Sequence, residues 1–277
     1  MLNFNLSTPD LAYDFILDAC KMTGPEFLKD FRIECHSDFE IFWEKHFSYF
    51  KTINPGKIRI YAFHITGSLD DCSSIKRQGI LNLQSLLSSN SLFNQMLKKY
   101  GIQIDIDRKV LIYNNKYYDI NYEKYRNKCN LYGLDNYLKS IAHRIFYDYT
   151  VNGFLCNDNV FNYGTRIHLR PEFLLDLSNA FPKLCKLEEE WINNACSYKI
   201  DYYTYISQLP RFTFDLDEYR DPPCKNWDYL SDNEKIIKWM LFYAIRRMDN
   251  GLGETALYLK DSLSVPPSQI VSYTKLI

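Results

Sequence analysis

A chain of 277 residues is long for one domain and short for two full ones. Hydrophobic residues make up 46% of it and charged residues 24%, a balance typical of globular proteins and unlike that of disordered chains. The formal net charge of −1 excludes a global basic field that would attract nucleic acid, and leaves open only a local basic patch.

The eight cysteines are scattered along the chain without any Cys-x-x-Cys pair, which argues against a zinc site. Residues 1–20 contain three aspartates and lack the apolar core of a signal peptide. We therefore expect reduced cysteines in a cytoplasmic protein. Because the cysteines are scattered, we also expect no bound metal. No apolar run approaches the length needed to cross a bilayer, so we expect no membrane partner.

Helical periodicity dominates residues 8–52. Thr8 caps the first predicted helix, Pro25 begins a second, and a third spans Phe39–Phe50 with aromatic rings along one face. A Pro-Gly pair at residues 55–56 then interrupts the chain. The sequence therefore predicts a helical N-terminal part.

The next segment alternates in polarity as a half-buried strand does, from residue 57 to residue 63. We expect this strand to end in a turn at residues 64–67, which include His64-Ile65-Thr66. A short helix should follow, with Ser68 and Asp70 as its caps and Gly79 closing it. Such an arrangement would hold His64 and Thr66 at the edge of a sheet, where a ligand meets the fold.

The remaining pattern mixes helices with strands that lie far apart in sequence. This mixture predicts an α+β fold with an antiparallel sheet. In chain order we predict a helix over 91–100, a hairpin over 107–120 that turns at residues 114–116, a helix over 135–149, strands over 151–156 and 165–169, helices over 171–181 and 186–198, a strand over 212–216, a helix over 231–248, and strands over 255–259 and 269–273.

Three polar landmarks follow one another along this pattern: His64 with Thr66, the pair Gly153-Phe154 followed by Tyr163, and Glu254 at the start of a late strand. In this order they resemble the ADP-ribosyltransferase superfamily, in particular the branch with His, Tyr and Glu signatures that includes diphtheria-type toxins and poly-ADP-ribose polymerases. The resemblance covers residues 57–273 and consists only in the order of these motifs along the chain.

The resemblance implies a split antiparallel sheet with the helical N-terminal part packed on it. It also implies two parts of the chain, a helical segment over 1–56 and an ADP-ribosyltransferase-like domain with helical insertions over 57–277. Two positions differ from the family pattern. Leu155 stands where a stacking Tyr is frequent, and Leu252 stands where many members carry a second Glu.

The resemblance further implies that NAD is the substrate and assigns a role to each landmark. Glu254 would be the catalytic carboxylate that faces the ribosyl cation. His64 would hydrogen-bond the ribose on the adenosine side, and Thr66 would help to fix that loop. Tyr163, together with Phe154, would stack on the nicotinamide.

The biological setting that the resemblance implies is a bacterial intracellular toxin of a toxin–antitoxin or anti-phage system, with room for an antitoxin protein as a partner. ADP-ribose would pass to a macromolecule, and nucleic acid, as RNA or DNA, is slightly favoured over protein. Several arginines could line a phosphate path: Arg144, Arg166, Arg170, Arg246 and Arg247.

Two other functions stay open. A two-histidine phosphodiesterase needs two His-x-Thr or His-x-Ser motifs; His64 supplies the first, whereas Leu169 and Arg170 follow His168. A catalytically inactive recognition module would use the aromatic N-terminal helices as a partner surface. No Walker loop, GxGxxG, Ser elbow or HExxH is present, which disfavours the corresponding enzyme classes.

One compositional feature bears on these alternatives. The chain contains 23 Tyr and 18 Phe, and aromatic residues reach 16%. An AT-rich coding sequence explains this excess without any function. Stacking surfaces for nucleobases or for a nicotinamide ring are the alternative explanation.

Overall fold

The computed structural model describes residues 1–217 and 227–276. Within these ranges the chain forms ten α-helices and nine β-strands, which confirms the α+β class and the helical N-terminal part. The helices are α1 (Pro9–Cys20), α2 (Gly24–Leu28), α3 (Phe39–Phe50), α4 (Ser73–Gln78), α5 (Leu83–Ser88), α6 (Leu92–Lys99), α7 (Leu134–Phe146), α8 (Glu172–Ala180), α9 (Cys185–Asn194) and α10 (Asp232–Met248). The strands are β1 (Asn3–Phe4), β2 (Arg59–Ser68), β3 (Ile102–Asp105), β4 (Val110–Tyr113), β5 (Lys116–Asp119), β6 (Asn152–Cys156), β7 (Cys196–Thr204), β8 (Thr255–Tyr258) and β9 (Ile270–Lys275).

The described strands form two sheets. The larger has the order β8-β6-β2-β7-β9, with the short strand β1 paired in parallel to β2. Strands β2 and β6 are antiparallel, and Phe63 lies opposite Phe154. The smaller sheet is the antiparallel meander β3-β4-β5.

Contacts within the chain define two compact units. The first comprises Met1–Phe63, Gly153–Asp158 and Tyr202–Tyr258, and the second comprises His64–Asn152, Asn159–Asp201 and Leu259–Ile277. Residues 1–56 therefore belong to a unit that also contains later segments. The division of the chain at residue 56 stays a prediction.

The first unit has an aromatic core around α1, α3 and α10. Helix α1 begins as predicted, because the Thr8 side chain accepts a hydrogen bond from the backbone N–H of Leu11 at 3.2 Å. Phe4 packs edge-on against Phe15, with ring centroids 5.1 Å apart. Burial of such rings, each removing a large apolar area from water, is the main stabilising contribution here.

A buried ion pair joins α10 to α3 in the same unit. Nζ of Lys238 lies 2.8 Å from Oε2 of Glu40 and over the ring of Trp43. Lys238 is only 1% exposed. Removing Glu40 alone would leave a buried charge without its partner, which typically costs several kcal/mol.

The second unit packs α6, α7, α8 and α9 against the small sheet. Its core includes Phe93, Leu111, Ile141, Leu177 and Trp191. The hairpin β4–β5 turns at Asn114 and Asn115, both with positive φ, as the sequence predicted.

Three predicted elements are wrong. Residues 165–169 form turns instead of a strand, and Arg211–Phe214 form a 3₁₀ turn where a strand was expected. Helix α9 ends at Asn194, and the nine-residue strand β7 follows at once. The reason is the alternation of buried positions along β7, which outweighs the helical spacing read across residues 186–198.

Two further findings concern the chain as a whole. No helix among the described residues is long and apolar enough to cross a membrane. All seven cysteines within the described residues are free thiols, and the eighth, Cys224, lies outside them. The predicted acidic loop at 215–221 also leaves the described residues after position 217.

Candidate functional site

His64 lies inside strand β2 and not at its end, since the strand continues to Ser68. The prediction of a turn at residues 64–67 is therefore wrong. Nδ1 of His64 is 2.6 Å from the carbonyl oxygen of Asn152. A carbonyl oxygen can only accept a hydrogen bond, so the proton of the neutral ring resides on Nδ1 and Nε2 keeps a free lone pair.

Burial lowers the pKa of His64, and the bond to Asn152 opposes this shift only in part. A histidine in this state is uncharged at neutral pH. His64 is thus a fixed, neutral hydrogen-bond acceptor. It can receive a bond from a ligand hydroxyl and is unsuited to pair with a phosphate charge.

A cavity of about 240 Å³ adjoins His64 in the second unit. Thr66, Ser68 and Asp70 provide a polar part of its wall, while the side chains of Phe93 and Trp191 are apolar parts of it. Sites for drug-sized ligands typically measure about 300–1,000 Å³. The cavity therefore suits one ring system or one sugar of a larger ligand.

The polar wall is fixed by side-chain bonds to the start of α4. Oγ of Ser68 accepts a bond from the backbone N–H of Cys72 at 2.8 Å and donates one to Asp70 at 2.9 Å. Asp70 also accepts from the backbone N–H of Ser74 at 2.8 Å. Ser68 and Asp70 thus bind backbone N–H groups at the start of α4, but the N-cap position is Cys72, so the prediction that they cap this helix is confirmed only in part. The same bonds occupy the Asp70 carboxylate.

Two glycines of the cavity are required by close contacts. A Cβ on Gly67 would lie 2.9 Å from the indole of Trp191. Gly79 closes α4 as predicted, with φ of +83°, and a Cβ there would lie 2.0 Å from the carbonyl oxygen of Val265.

Glu254 is exposed and directly precedes β8 in the first unit, as predicted. Nδ2 of Asn157 donates a hydrogen bond to its Oε2 at 2.9 Å. The thiol of Cys156 donates to the carbonyl oxygen of Gly253 at 2.9 Å. Two neighbouring side chains at the end of β6, those of Cys156 and Asn157, thus bind the two residues that precede β8.

The segment that carries Asn157 is itself anchored. The guanidinium of Arg247, 3% exposed, donates to Asp158 at 2.9 Å and to the carbonyl oxygen of Ser7 at 3.1 Å. The bond from Arg247 lowers the pKa of Asp158, so that carboxylate stays charged at neutral pH. This anchor restricts the position of Asn157 and, through it, that of Glu254.

Phe154 and Gly153 belong to the first unit and are packing residues there. Phe154 is buried and its ring lies 5.5 Å from that of Phe63. A Cβ on Gly153 would lie 2.5 Å from the hydroxyl of Tyr202 and 2.9 Å from the carbonyl oxygen of Phe63. The glycine therefore permits the close approach of Phe63 and Tyr202.

Tyr163 follows a 3₁₀ turn at Val160–Asn162 and is half-buried in the second unit. It is not among the residues that line the His64 cavity. Of the five predicted site residues, His64 and Thr66 are brought together at one cavity. Phe154 and Glu254 belong to the other unit.

Most of the predicted arginine path is occupied by carboxylates. Arg144 pairs with Asp148, Glu172 and Asp176, and Arg170 pairs with Glu188. These acids neutralise the guanidinium groups, as Asp158 does for Arg247.

His168, the second histidine of the phosphodiesterase alternative, packs its ring 5.1 Å from Phe161 and does not line the His64 cavity. Within residues 1–217 and 227–276, no group of three His, Cys, Asp or Glu side chains could hold a metal ion.

No protein-family model, curated protein or solved structure matches this chain.

Proposed function

We propose that the protein is an NAD-dependent ADP-ribosyltransferase that transfers ADP-ribose to a macromolecule. The observation that carries this proposal is the state of His64: a neutral imidazole, held through Nδ1 by Asn152, whose Nε2 remains an acceptor beside a cavity of about 240 Å³. A ribose hydroxyl is a donor of the right kind for this nitrogen. In the proposal it belongs to the adenosine side of NAD, and Thr66 helps to fix the same strand.

Glu254 supplies the chemistry in this proposal. The bond between C1′ of the ribose and the nicotinamide nitrogen breaks, and its electron pair leaves with nicotinamide. The ribosyl group then carries positive charge, as in glycoside cleavage. The exposed carboxylate of Glu254, oriented by Asn157, stabilises this charge. A nucleophile of the acceptor attacks C1′ and loses its proton.

The remaining roles follow the family resemblance. Tyr163 stacks on the nicotinamide, whereas Phe154, which is buried against Phe63, is left out of that role. The proposal also takes the antiparallel sheet to be the split sheet of the family. The α+β class and the N-terminal helices are compatible with such a fold. The setting is an intracellular toxin or anti-phage protein, with an antitoxin as a further partner. A catalytically inactive recognition module would show none of the activity tested next.

The experiment measures NAD consumption and the fate of ADP-ribose. Purified protein is incubated with NAD labelled in its adenylate phosphate and with the protein, RNA and DNA fractions of a cell extract. We expect nicotinamide release and transfer of label to one fraction. Glu254→Gln should retain NAD binding in a thermal-shift assay and lose about a hundredfold or more in turnover.

Asp261→Asn is the matched control, because Asp261 is also exposed and follows β8 by three residues. It should keep parental turnover. A folded parent protein that neither binds NAD nor releases nicotinamide with any fraction would contradict the proposal. Equal activity in Glu254→Gln and the parent would remove Glu254 from its catalytic role.

A further inference from the structure

Positive charge and tyrosine are concentrated in one part of the second unit. Residues 108–147 contain eight Lys or Arg against three Asp or Glu, a local net charge of +5 in a chain whose total is −1. The same 40 residues hold eight of the 23 tyrosines. A codon bias spread over the whole gene does not explain why both residue types gather in one segment.

Several of these tyrosines are on the surface. Tyr117 is 68% exposed, Tyr132 81% and Tyr147 61%. Large rings are exposed at a cost, and clusters of them mark interaction sites more often than single ones do. Tyr147 belongs to such a cluster: its ring centroid lies 4.8 Å from that of His143 and 5.5 Å from that of Tyr122.

Three lysines beside these rings have no ion-pair partner within 4 Å among the described residues. Lys109 lies over the ring of Phe146 at 5.6 Å, and Lys128 lies over the ring of Tyr125 at 5.8 Å. Nζ of Lys139 donates to the carbonyl oxygen of Lys128 at 3.2 Å. Their charges are therefore not neutralised as those of the arginines are.

The lysines and rings lie on helix α7 or next to it. Helix α7 supplies Lys139 and His143 and is followed directly by Tyr147. Lys128 contacts this helix through Lys139, and Tyr122 contacts it through the ring of His143. Lys109 contacts it through the ring of Phe146. We call these six residues the α7 face: Lys109, Tyr122, Lys128, Lys139, His143 and Tyr147.

Three of the neighbouring acids lie against cations that are not part of this face. Asp119 pairs with Lys124, Glu123 lies 3.9 Å from Arg126, and Asp148 pairs with Arg144. Burial lowers the pKa of His143, so its ring is an uncharged stacking partner at neutral pH. The α7 face therefore combines three lysines that lack an ion-pair partner among the described residues with the exposed ring of Tyr147 and the half-buried rings of Tyr122 and His143.

We propose that the α7 face binds single-stranded nucleic acid, with bases stacked on Tyr147 and Tyr122 and phosphates at Lys109, Lys128 and Lys139. Base faces are available for stacking only where the strand is unpaired, which favours single strands over duplex. An acidic protein would use the lysines and leave the rings without a specific role.

The position of the face connects it with the cavity of the same unit. Tyr147 precedes Thr150 by three residues, and Thr150 lines the cavity beside His64. A strand stacked on Tyr147 would therefore reach the neighbourhood of the cavity. The binding of single-stranded nucleic acid to the α7 face does not depend on the proposed function. The further step, in which the bound nucleic acid accepts ADP-ribose, rests on the proposed function.

Binding is tested with the full chain and without NAD. Fluorescence anisotropy is measured with labelled DNA and RNA single strands of about 20 nucleotides and with the matching duplex, over a series of salt concentrations. We expect single strands to bind more tightly than duplex. The comparison of DNA with RNA identifies which of the two is preferred.

Two sets of variants separate stacking from charge. Tyr147→Ala should weaken binding about fivefold to 150-fold, and Tyr147→Phe should keep it, because the ring is retained. Lys109→Gln, Lys128→Gln and Lys139→Gln together should reduce the slope of log K against log salt by about 2. The controls are the exposed residue Tyr229, changed to Ala, and a triple Lys→Gln variant at Lys21, Lys57 and Lys183, all outside residues 108–147.

The outcomes are distinguishable. Absence of single-strand binding, preference for duplex, or equal loss in the control triple variant would overturn the proposal for the α7 face, even if NAD is consumed. Labelling confined to the protein fraction, with no oligonucleotide bound, would point to a protein acceptor and overturn it too. Single-strand binding that depends on Tyr147 and the three lysines, without any NAD turnover, would support the face and contradict the proposed enzyme.

Discussion

The side-chain amide of Asn157 donates to the Glu254 carboxylate at 2.9 Å, and the two residues are 97 positions apart in the chain. Arg247 holds the adjacent Asp158, so this hydrogen bond is supported from inside the first unit. A carboxylate that must face a developing cation gains from such a fixed orientation, because no reorientation is needed when charge appears. Asn157 is thus a positioning residue for the proposed reaction.

The first prediction concerns this pair. Asn157→Ala should lower kcat of NAD cleavage about tenfold while leaving KM nearly unchanged, because the lost bond orients a group that acts in the transition state. In the Glu254→Gln background the same change should cost little more. A double-mutant cycle with kcat as readout measures this coupling.

A readout independent of activity accompanies that cycle. The side-chain NH₂ signal of Asn157 in an NMR spectrum should shift in Glu254→Gln and stay in place in Asp261→Asn. Additive losses in the cycle, with an unmoved Asn157 signal, would show that Asn157 does not orient Glu254.

The second prediction concerns His64. His64→Ala should weaken NAD binding about fivefold or more, because one hydrogen bond to the ligand contributes about 1 kcal/mol. Thr66→Ala should weaken it less, since Oγ1 of Thr66 already donates to the carbonyl oxygen of Gly67 at 3.3 Å. Isothermal titration calorimetry measures both, and Ser74→Ala, on the same cavity wall, is the control. Parental affinity in His64→Ala would make the histidine a purely structural strand residue.

Sequence patterns predicted the elements whose signals are local. The Thr8 cap, the aromatic face of Phe39–Phe50 and the Asn114-Asn115 turn each act within a few residues, and the structure contains all three. Strand β7 was missed because its alternation follows a helix without any Gly or Pro between them. Local spacing alone could not separate the two elements.

The candidate site was predictable only in part. His64, Thr66 and Glu254 stand in recognisable motifs, so they could be named in advance. Their partners could not. Asn152 is 88 residues from His64 and acts through a backbone carbonyl, which any residue type offers. Asn157 is one asparagine among many, and no spacing rule connects it to Glu254.

The third prediction concerns stability in mild acid. Burial lowers the pKa of His64, His143 and His168 below the ordinary value of 6.5. The unfolded chain therefore takes up protons at a higher pH than the folded one, so the stabilisation is complete above pH 6.5 and declines as the pH falls below it. The loss is at most about 1.4 kcal/mol per pH unit for each histidine.

Urea unfolding at pH 8.5, 7.5, 6.5 and 5.5 measures this dependence. We expect a flat region at the two higher values and a decline below them. His64→Gln keeps an amide donor for the Asn152 carbonyl and cannot titrate, so its decline should be shallower than that of the parent. Parallel curves for the two proteins would show that His64 is not the group responsible.

The last prediction separates two causes of strain at glycines of the second unit. Gly79 has a positive φ and a neighbouring carbonyl at 2.0 Å from the position of a Cβ, whereas Gly133 has a positive φ with no atom within 4 Å. Gly164 has neither feature.

Gly133→Ala should therefore cost about 1 kcal/mol of unfolding free energy, and Gly164→Ala should change it by no more than about 0.5 kcal/mol. Gly79→Ala should cost about 3 kcal/mol or more, because the Cβ would force apart the Ile80–Val265 bridge as well. Since Gly79 lines the His64 cavity, the same variant should also weaken NAD binding. Urea unfolding of the three variants gives the free energies, and a Gly79→Ala cost equal to that of Gly133→Ala would show that Val265 does not confine this turn.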